Sequence, residues 1–404
     1  MAWDGKVDVC LIGGGMISEE VVLPTVFQER KRGKINKVSV CSLNAAIVKH
    51  LQEVFPKEEF TPYPDPAKEP LDKNMPEIYK QAIADLGEHG LVIVATPDHL
   101  HTPMVMASLE AGYDVVCMKP LCLKVEEAHQ VMELANSKNL YVATDYHKRK
   151  DRAVRALKRK FGRGELGQPL YGHAWIEEPK YMPLKYFKLW CEQSSSFEYI
   201  GVHYADVYYF VTGLLPKRVV AFGQKKFLPT QGYNAYDAIQ AVVEWEDGSA
   251  FWIQTSWVCS DKNAAMTNQG LMFQGTEGEY WADHKFRNLH FLTEKNGFEQ
   301  YNPNFFKEYD DWDDEEGCDY VGYGYESIAQ WMDDIRTILV ATEGKNDDEK
   351  AKMRKEFHDK YVKTRPLPEQ ALIGVAINDA VRLSVDNGSK FVVFDDNFYP
   401  HLEK

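Results

Sequence analysis

The chain has 404 residues, a formal charge of −14, 44% hydrophobic and 13% aromatic residues, and since single cores rarely grow past roughly 250 to 300 residues, two domains are expected. The acidic balance argues against nucleic acid or anionic lipid as a partner, because both would be repelled over most of the surface. Seven cysteines without Cys-x-x-Cys spacing fit reduced thiols in a cytoplasm and no zinc site; no stretch approaches the roughly 20 apolar residues of a membrane span, so a soluble, cytoplasmic protein is expected.

Val7 to Ile12 is a run of β-formers that meets Gly13-Gly14-Gly15, and Met16-Ile17-Ser18 opens a helix. Strand, glycine turn and helix are the context of a dinucleotide fingerprint. Gly13 permits the tight turn, Gly15 lets backbone approach a pyrophosphate, and the small Ser18 takes the third position, where helix packs on strand. The free N–H groups of the helix start would face the phosphates. An ordinary glycine turn is the competing reading.

The second strand, Lys37 to Cys41, is followed by Ser42-Leu43-Asn44 where an acid would hold the ribose of NAD. Ser42 and Asn44 can hydrogen-bond the ribose hydroxyls, while no arginine stands ready for a 2′-phosphate, so the pattern leans to NAD and leaves NADP open. A helix (45–54), a proline-rich loop (60–70) and another helix (76–86) precede the strand Leu91 to Ala95. Thr96-Pro97-Asp98-His99-Leu100-His101 then leads into a helix over 102–111. His99 and His101 lack a third ligand at metal spacing, so they read as turn residues beside the cofactor or as helix caps.

Tyr113 to Cys117 is a short strand ending in Met118-Lys119-Pro120. Proline disfavours helix at Lys119, so its amine projects from the strand's C-terminal edge, the edge of open parallel sheets where ligands bind. A lysine held there is placed to move a proton; the bland alternative is a surface lysine before a turn. A helix (125–137) and a strand (141–144) complete an alternation that predicts a doubly wound parallel sheet over residues 1–146.

Residues 147–404 change character. A basic helix (150–160) reads as a solvated face. Strands at 170–176, 219–223, 238–245, 250–256, 270–273 and 278–282 follow one another without long helices, predicting a mainly antiparallel sheet, with Asp247-Gly248 turning one hairpin. Trp175, Tyr181, Tyr186, Phe187 and Trp190 are ring-rich: a stacking surface for sugar C–H faces, or core. The acidic run 310–319 lacks a calcium-loop pattern and reads as solvated surface. Amphipathic helices over 327–339 and 369–385 close the fold.

Taken together, Gly13 to Gly15, Thr96 to His101, Lys119-Pro120, Tyr146-His147-Lys148-Arg149, Gly164-Glu165-Leu166-Gly167, Gly201-Val202-His203-Tyr204-Ala205-Asp206 and Gly275-Thr276-Glu277-Gly278 resemble, end to end, the glucose-fructose oxidoreductase and inositol dehydrogenase (Gfo/Idh/MocA) family. The resemblance implies a Rossmann domain, then an α/β domain whose large open sheet serves a homo-oligomer, a dimer or tetramer. It implies an NAD(P)-dependent oxidoreductase of sugars or polyols, with Lys119 and His203 as catalytic residues and Tyr199 joining them as a hydrogen-bond donor where the family has an Asp. It places Gly13, Gly15, Met16, Ile17, Ser42, Asn44, Thr96, Pro97, His99, His101, Lys119 and His147 at the cofactor. His147, Arg149, Trp175, Trp190 and Tyr199, with Lys119 and His203, are implied at the substrate.

Two departures stand out. Met118 replaces the family's usual Glu before Lys-Pro, and Tyr199, beside Glu198, stands where an Asp is usual four residues before the histidine. The expected reaction is reversible oxidation of a secondary alcohol, with a Lys119 made less basic by burial accepting the hydroxyl proton. Rival readings are a glycosidase or lyase working through transient oxidation and elimination, and a non-catalytic cofactor-binding regulator.

Overall fold

The structure, a computed structural model, describes residues 3–263, 265–312 and 317–404. Part of the acidic run expected at the surface, Asp313 to Glu316, lies outside the described residues. The chain divides into two compact units: Met1–Cys122 with Glu127–Asp145 and Glu308–Gln370, and Leu123–Glu126 with Tyr146–Lys307 and Ala371–Lys404. Residues 308–370, which the sequence reading placed in the second domain, thus pack into the first unit.

That unit is built on a six-stranded sheet in the order β3-β2-β1-β4-β5-β6: β1 (Val7–Ile12), β2 (Ile35–Cys41), β3 (Thr61–Tyr63), β4 (Gly90–Val94), β5 (Asp114–Met118) and β6 (Val142–Asp145). Every pairing is parallel. β4, β5 and β6 are buried along their whole length, as expected of strands covered on both faces. β3 falls in the stretch read as a proline-rich loop. It is three residues long and sits at the sheet's edge, where Pro62 breaks no second ladder.

The helices of 323–370 close over this sheet. Tyr323–Thr342 is longer than expected, and Asp347–Tyr361 was not anticipated because it buries only Tyr361 and has no apolar stripe to read. Its start is a capping box, Asn346 accepting from Glu349 N and Glu349 accepting from Asn346 N. Three buried carboxylates bind the segment down. Arg354 forks onto Asp114 at 2.8 and 3.1 Å, Trp331 Nε1 donates to Asp145 at 3.1 Å, and Arg365 forks onto Asp334, which also accepts from Tyr141.

The second unit carries an eight-stranded sheet in the order β12-β11-β7-β10-β9-β8-β17-β18: β7 (Pro169–Pro179), β8 (Pro216–Gln224), β9 (Ala238–Trp245), β10 (Ala250–Cys259), β11 (Asn268–Gly275), β12 (Glu279–Asp283), β17 (Val392–Phe394) and β18 (Pro400–Leu402). Short strands β13 (Phe291–Thr293) and β14 (Gly297–Glu299) form a ribbon; a second ribbon, β15 (Lys307–Asp310) with β16 (Cys318–Val321), falls but for Lys307 in the segment that belongs to the first unit. The sheet is antiparallel as predicted except for β7 beside β10, and Gly248 turns the β9–β10 hairpin at φ +87°. Along β7 and β9 buried and half-exposed residues alternate, so the sheet has one face in the core and one outside.

Two glycine motifs turn out to be structural. A Cβ on Gly167 would lie 2.2 Å from Thr276 Oγ1, and one on Gly275 2.0 Å from the Leu166 carbonyl oxygen. The Gly164–Gly167 and Gly275–Gly278 turns are pressed against each other, sharing the bonds Thr276 N to Gln168 O and Glu277 N to Leu166 O.

Candidate active site

In the first unit, the C-terminal ends of β1, β2, β4 and β5 come level, with Ile12 opposite Cys41 and Val94, and Val94 opposite Cys117. Gly13 leaves β1 at φ +123°, and a Cβ there would lie 2.1 Å from the Ala95 carbonyl oxygen; only glycine passes so close to β4. Gly14 is closed in by Ile47 and Ser42, whereas a Cβ on Gly15 would meet nothing within 4 Å. The chain is helical from Met16 onward, widening over Ser18–Val22, where Leu23 N bonds Ser18 O. Ser18 is fully buried, fitting its place where the helix packs close to the strand.

Ser42 ends β2, nearly buried. Asn44 is occupied: its Oδ1 caps the helix Ala45–Val54 by accepting from Ile47 N, and its Nδ2 donates to Asn74. It serves as a cap, a role its residue type favours at a helix start. Just beyond β4, Thr96 Oγ1 and His99 Nδ1 are buried without a hydrogen-bond partner among the described residues. Burial also draws His99 below its ordinary pKa, leaving a neutral ring. A free backbone at Gly15, a helix start behind it and two unpaired polar atoms on the same strand edge fit a dinucleotide.

Lys119 follows the buried β5 directly and is half-buried, with Met118 and Pro120 buried on either side. His101 does not cap its helix. It is wholly buried, its Nδ1 2.6 Å from Pro120 O and its Nε2 2.8 Å from Thr96 O.

In the second unit, His203 is 4% exposed and its ring centre lies 4.4 Å from that of His147, which also faces Phe305 at 5.1 Å. Tyr199, one helical turn before His203, belongs to a ring cluster with Phe187 (4.8 Å), Trp190 (5.3 Å) and Trp257 (6.3 Å). Glu198 does not substitute for the missing aspartate. It is buried and paired with Arg382 from the helix Pro368–Asp386.

Arg149 and Trp175, both expected at the substrate, have protein partners of their own. Arg149 is 4% exposed and forks onto the buried Asp206, Nε to Oδ2 at 2.8 Å and Nη2 to Oδ1 at 2.5 Å. Its guanidinium takes part in a core ion pair. Trp175 falls on the outer face of the sheet by the period-two alternation of β7, near His173 (5.4 Å) and Trp281 (6.2 Å), and not with Trp190 and Tyr199.

Lys148 escaped the sequence reading because a lysine between basic neighbours reads as exposed. It is 2% exposed, donates to Gln269 Oε1 at 2.5 Å, and lies 4.9 Å from the centre of the Tyr204 ring. Burial first, and Arg287 after it, bring its pKa down to about 7, against an opposing pull from Asp151. Among the described residues, no three His, Cys, Asp or Glu side chains group as a metal would need, and no helix is long and apolar enough to cross a membrane.

The parallel sheet and its glycine-bearing strand edge define a dinucleotide-binding Rossmann fold. Residues 7–146 match the family model described as oxidoreductase family, NAD-binding Rossmann fold, and residues 154–281 match the GFO/IDH/MocA C-terminal domain. The chain belongs to the GFO/IDH/MocA family and carries its NAD-binding Rossmann domain. Among curated proteins it is 26% identical over 191 residues to 1,5-anhydro-D-fructose reductase of Ensifer adhaerens, 46% of this chain and 55% of that one. It is 27% identical over 175 residues to 2,7-anhydro-N-acetylneuraminate hydratase of Mediterraneibacter gnavus, 40% and 46% of the two chains. The matched segments span about half the length of these relatives. A solved inositol dehydrogenase homolog from Azotobacter vinelandii, complexed with NADH and myo-inositol, superposes with a TM-score of 0.68 at 19% identity, covering 96% of this chain and 98% of that one; this likeness is one of fold.

Proposed function

We propose that this protein oxidises or reduces a secondary alcohol of a sugar, sugar derivative, glycoside or cyclic polyol. The observation that carries the reading is the half-buried Lys119 at the end of β5, on the same strand edge as the Gly13–Gly15 turn. Gly13, Gly15 and the helix from Met16 and Ile17 would hold the pyrophosphate of the cofactor, with Ser42 at the ribose and Thr96, Pro97 and His99 nearby. NAD, when bound, supplies the hydride acceptor. Lys119, in its neutral form, takes the hydroxyl proton as the carbonyl forms and returns it in the reverse direction. His203 hydrogen-bonds a substrate oxygen, with His147 beside it, and Tyr199 offers a phenol O–H where a carboxylate base is absent. Trp190 contributes a ring surface against which sugar C–H faces stack.

The test is Lys119→Met on a panel of sugars, anhydrosugars and inositols, following reduced cofactor. NADH binding is expected to survive and turnover to fall by at least the roughly 10² to 10⁴ of lost acid–base catalysis; near-normal turnover removes the centre of the reading. The hydratase among the relatives supports a second reading, elimination and hydration through transient oxidation. Product formation with no net reduction of added NAD selects it.

The outer sheet face supports self-association as a dimer or tetramer. Trp252 and Trp281 stand 45% and 68% exposed there beside Tyr171, a contiguous aromatic surface of the kind that marks an interface.

A further inference from the structure

Deepening that reading of Lys119, we infer that His101 is its positioning residue: the imidazole, wedged between the Thr96 carbonyl after β4 and the Pro120 carbonyl after β5 and donating to one of them, sets where the Lys119 stem leaves the sheet. The two carbonyls belong to neighbouring parallel strands, whose last paired residues are Val94 and Cys117. Beyond those residues the strand ladder no longer holds the two ends together. The contacts at 2.6 and 2.8 Å from a fully buried ring take over that task immediately beside Lys119.

The chemistry of the ring makes the tie specific. A neutral imidazole has one N–H and one lone pair, so it donates to one carbonyl at a time, and both are served only when the ring takes a second proton. Burial opposes that proton most, the two carbonyls favour it, and the charge of Lys119 opposes it, with Glu127 pulling weakly the other way. His99, two residues earlier, feels His101 in the same sense as a like charge. Burial prevails and holds His101 below its ordinary pKa, so the neutral ring donates to one carbonyl and sets the position of the amine without touching substrate.

The experiment reads Lys119 directly and needs no substrate. Trace acetylation with acetic anhydride between pH 6 and about 10, quantified by peptide mass spectrometry against the exposed Lys57, gives the reactivity and titration midpoint of Lys119. In His101→Leu, which removes the ring's hydrogen-bond donor, the relative rate is expected to change at least about threefold and the midpoint to shift by about 0.5 unit, the free-energy equivalent of that factor. His101→Gln, with a carboxamide N–H in reach of a carbonyl, is expected to return most of the way. NADH titration and thermal melting of each variant report separately on the fold.

A labelling curve of folded His101→Leu that superimposes on wild type overturns the proposal, as does a His101→Gln indistinguishable from His101→Leu. Where Leu does not fold, His101→Gly folded in the presence of imidazole takes its place. Recovery of the wild-type labelling curve with added imidazole supports the tie, and recovery of the fold without it overturns it. Lys119→Met turnover tests the acid–base role separately, so positioning can fail while that role stands, and the reverse.

Discussion

Arg149→Met tests whether Arg149, expected at the substrate, serves the core ion pair in which the fold places it. Arg149 and Asp206 are 4% and 1% exposed and joined by two hydrogen bonds of 2.8 and 2.5 Å. Removing the guanidinium leaves a carboxylate at full burial, and breaking such a pair from one side costs about 3 to 5 kcal/mol. At roughly 2 to 4 °C per kcal/mol for a unit of 150 to 250 residues, the melting midpoint should fall by about 6 to 20 °C. Arg149→Met with Asp206→Leu should recover most of this, because no charge is left buried.

The pH dependence has a definite sign. Burial, the larger influence, already lifts the Asp206 pKa above 3.8, while Arg149 holds it back; without Arg149 the lift grows. A carboxyl raised in the folded state contributes stability that is present below the unfolded pKa and lost as pH rises through the folded one. The deficit of Arg149→Met should therefore be smallest in acid and grow toward neutrality. Urea melts at several pH values, with and without the Asp206 change, measure it. A loss under about 1 kcal/mol combined with a raised KM would falsify the ion-pair account and return Arg149 to the substrate.

Gly15→Val should leave the melting temperature within about 1 °C, since a Cβ there meets no protein atom within 4 Å, yet abolish NADH fluorescence enhancement; retained binding would put the pyrophosphate elsewhere. Ser42→Asp is expected to strengthen the preference for NAD and Ser42→Arg to shift it toward NADP, and unchanged ratios of kcat/KM in both variants would show that other residues read the ribose. Lys148, with a folded pKa of about 7 against 10.5, makes the unfolded chain bind the extra proton between those values. Stability should accordingly rise with pH across that window and the slope flatten in Lys148→Met. An unaltered slope means the ammonium stays charged in the core.

What the sequence settled by itself was local or periodic. The glycine turn was legible because Gly13 passes so close to Ala95 that residue type and backbone path imply each other. The longer strands of both sheets were legible from runs of β-formers, and the β9–β10 hairpin from Asp247-Gly248, whereas the three-residue strands β3, β17 and β18 were not. Lys119 was legible because Pro120 constrains the residue before it. Nothing local announced the rest.

Arg149 could be seen as a cation, but its partner is 57 residues away, and only packing decides whether a cation meets solvent, substrate or a buried carboxylate. Trp175 could be seen as a ring on a strand, but which face of that strand is core depends on what β10 and β11 lay beside it. The segment 323–370 could be seen in part as helix. Its return to the first unit rests on Asp114, Asp145 and Asp334 meeting Arg354, Trp331 and Arg365. Local propensity acts over a few residues and is written in them, whereas a buried charge must be paired wherever the fold brings a partner, so the tertiary structure alone decides which residues are free to act.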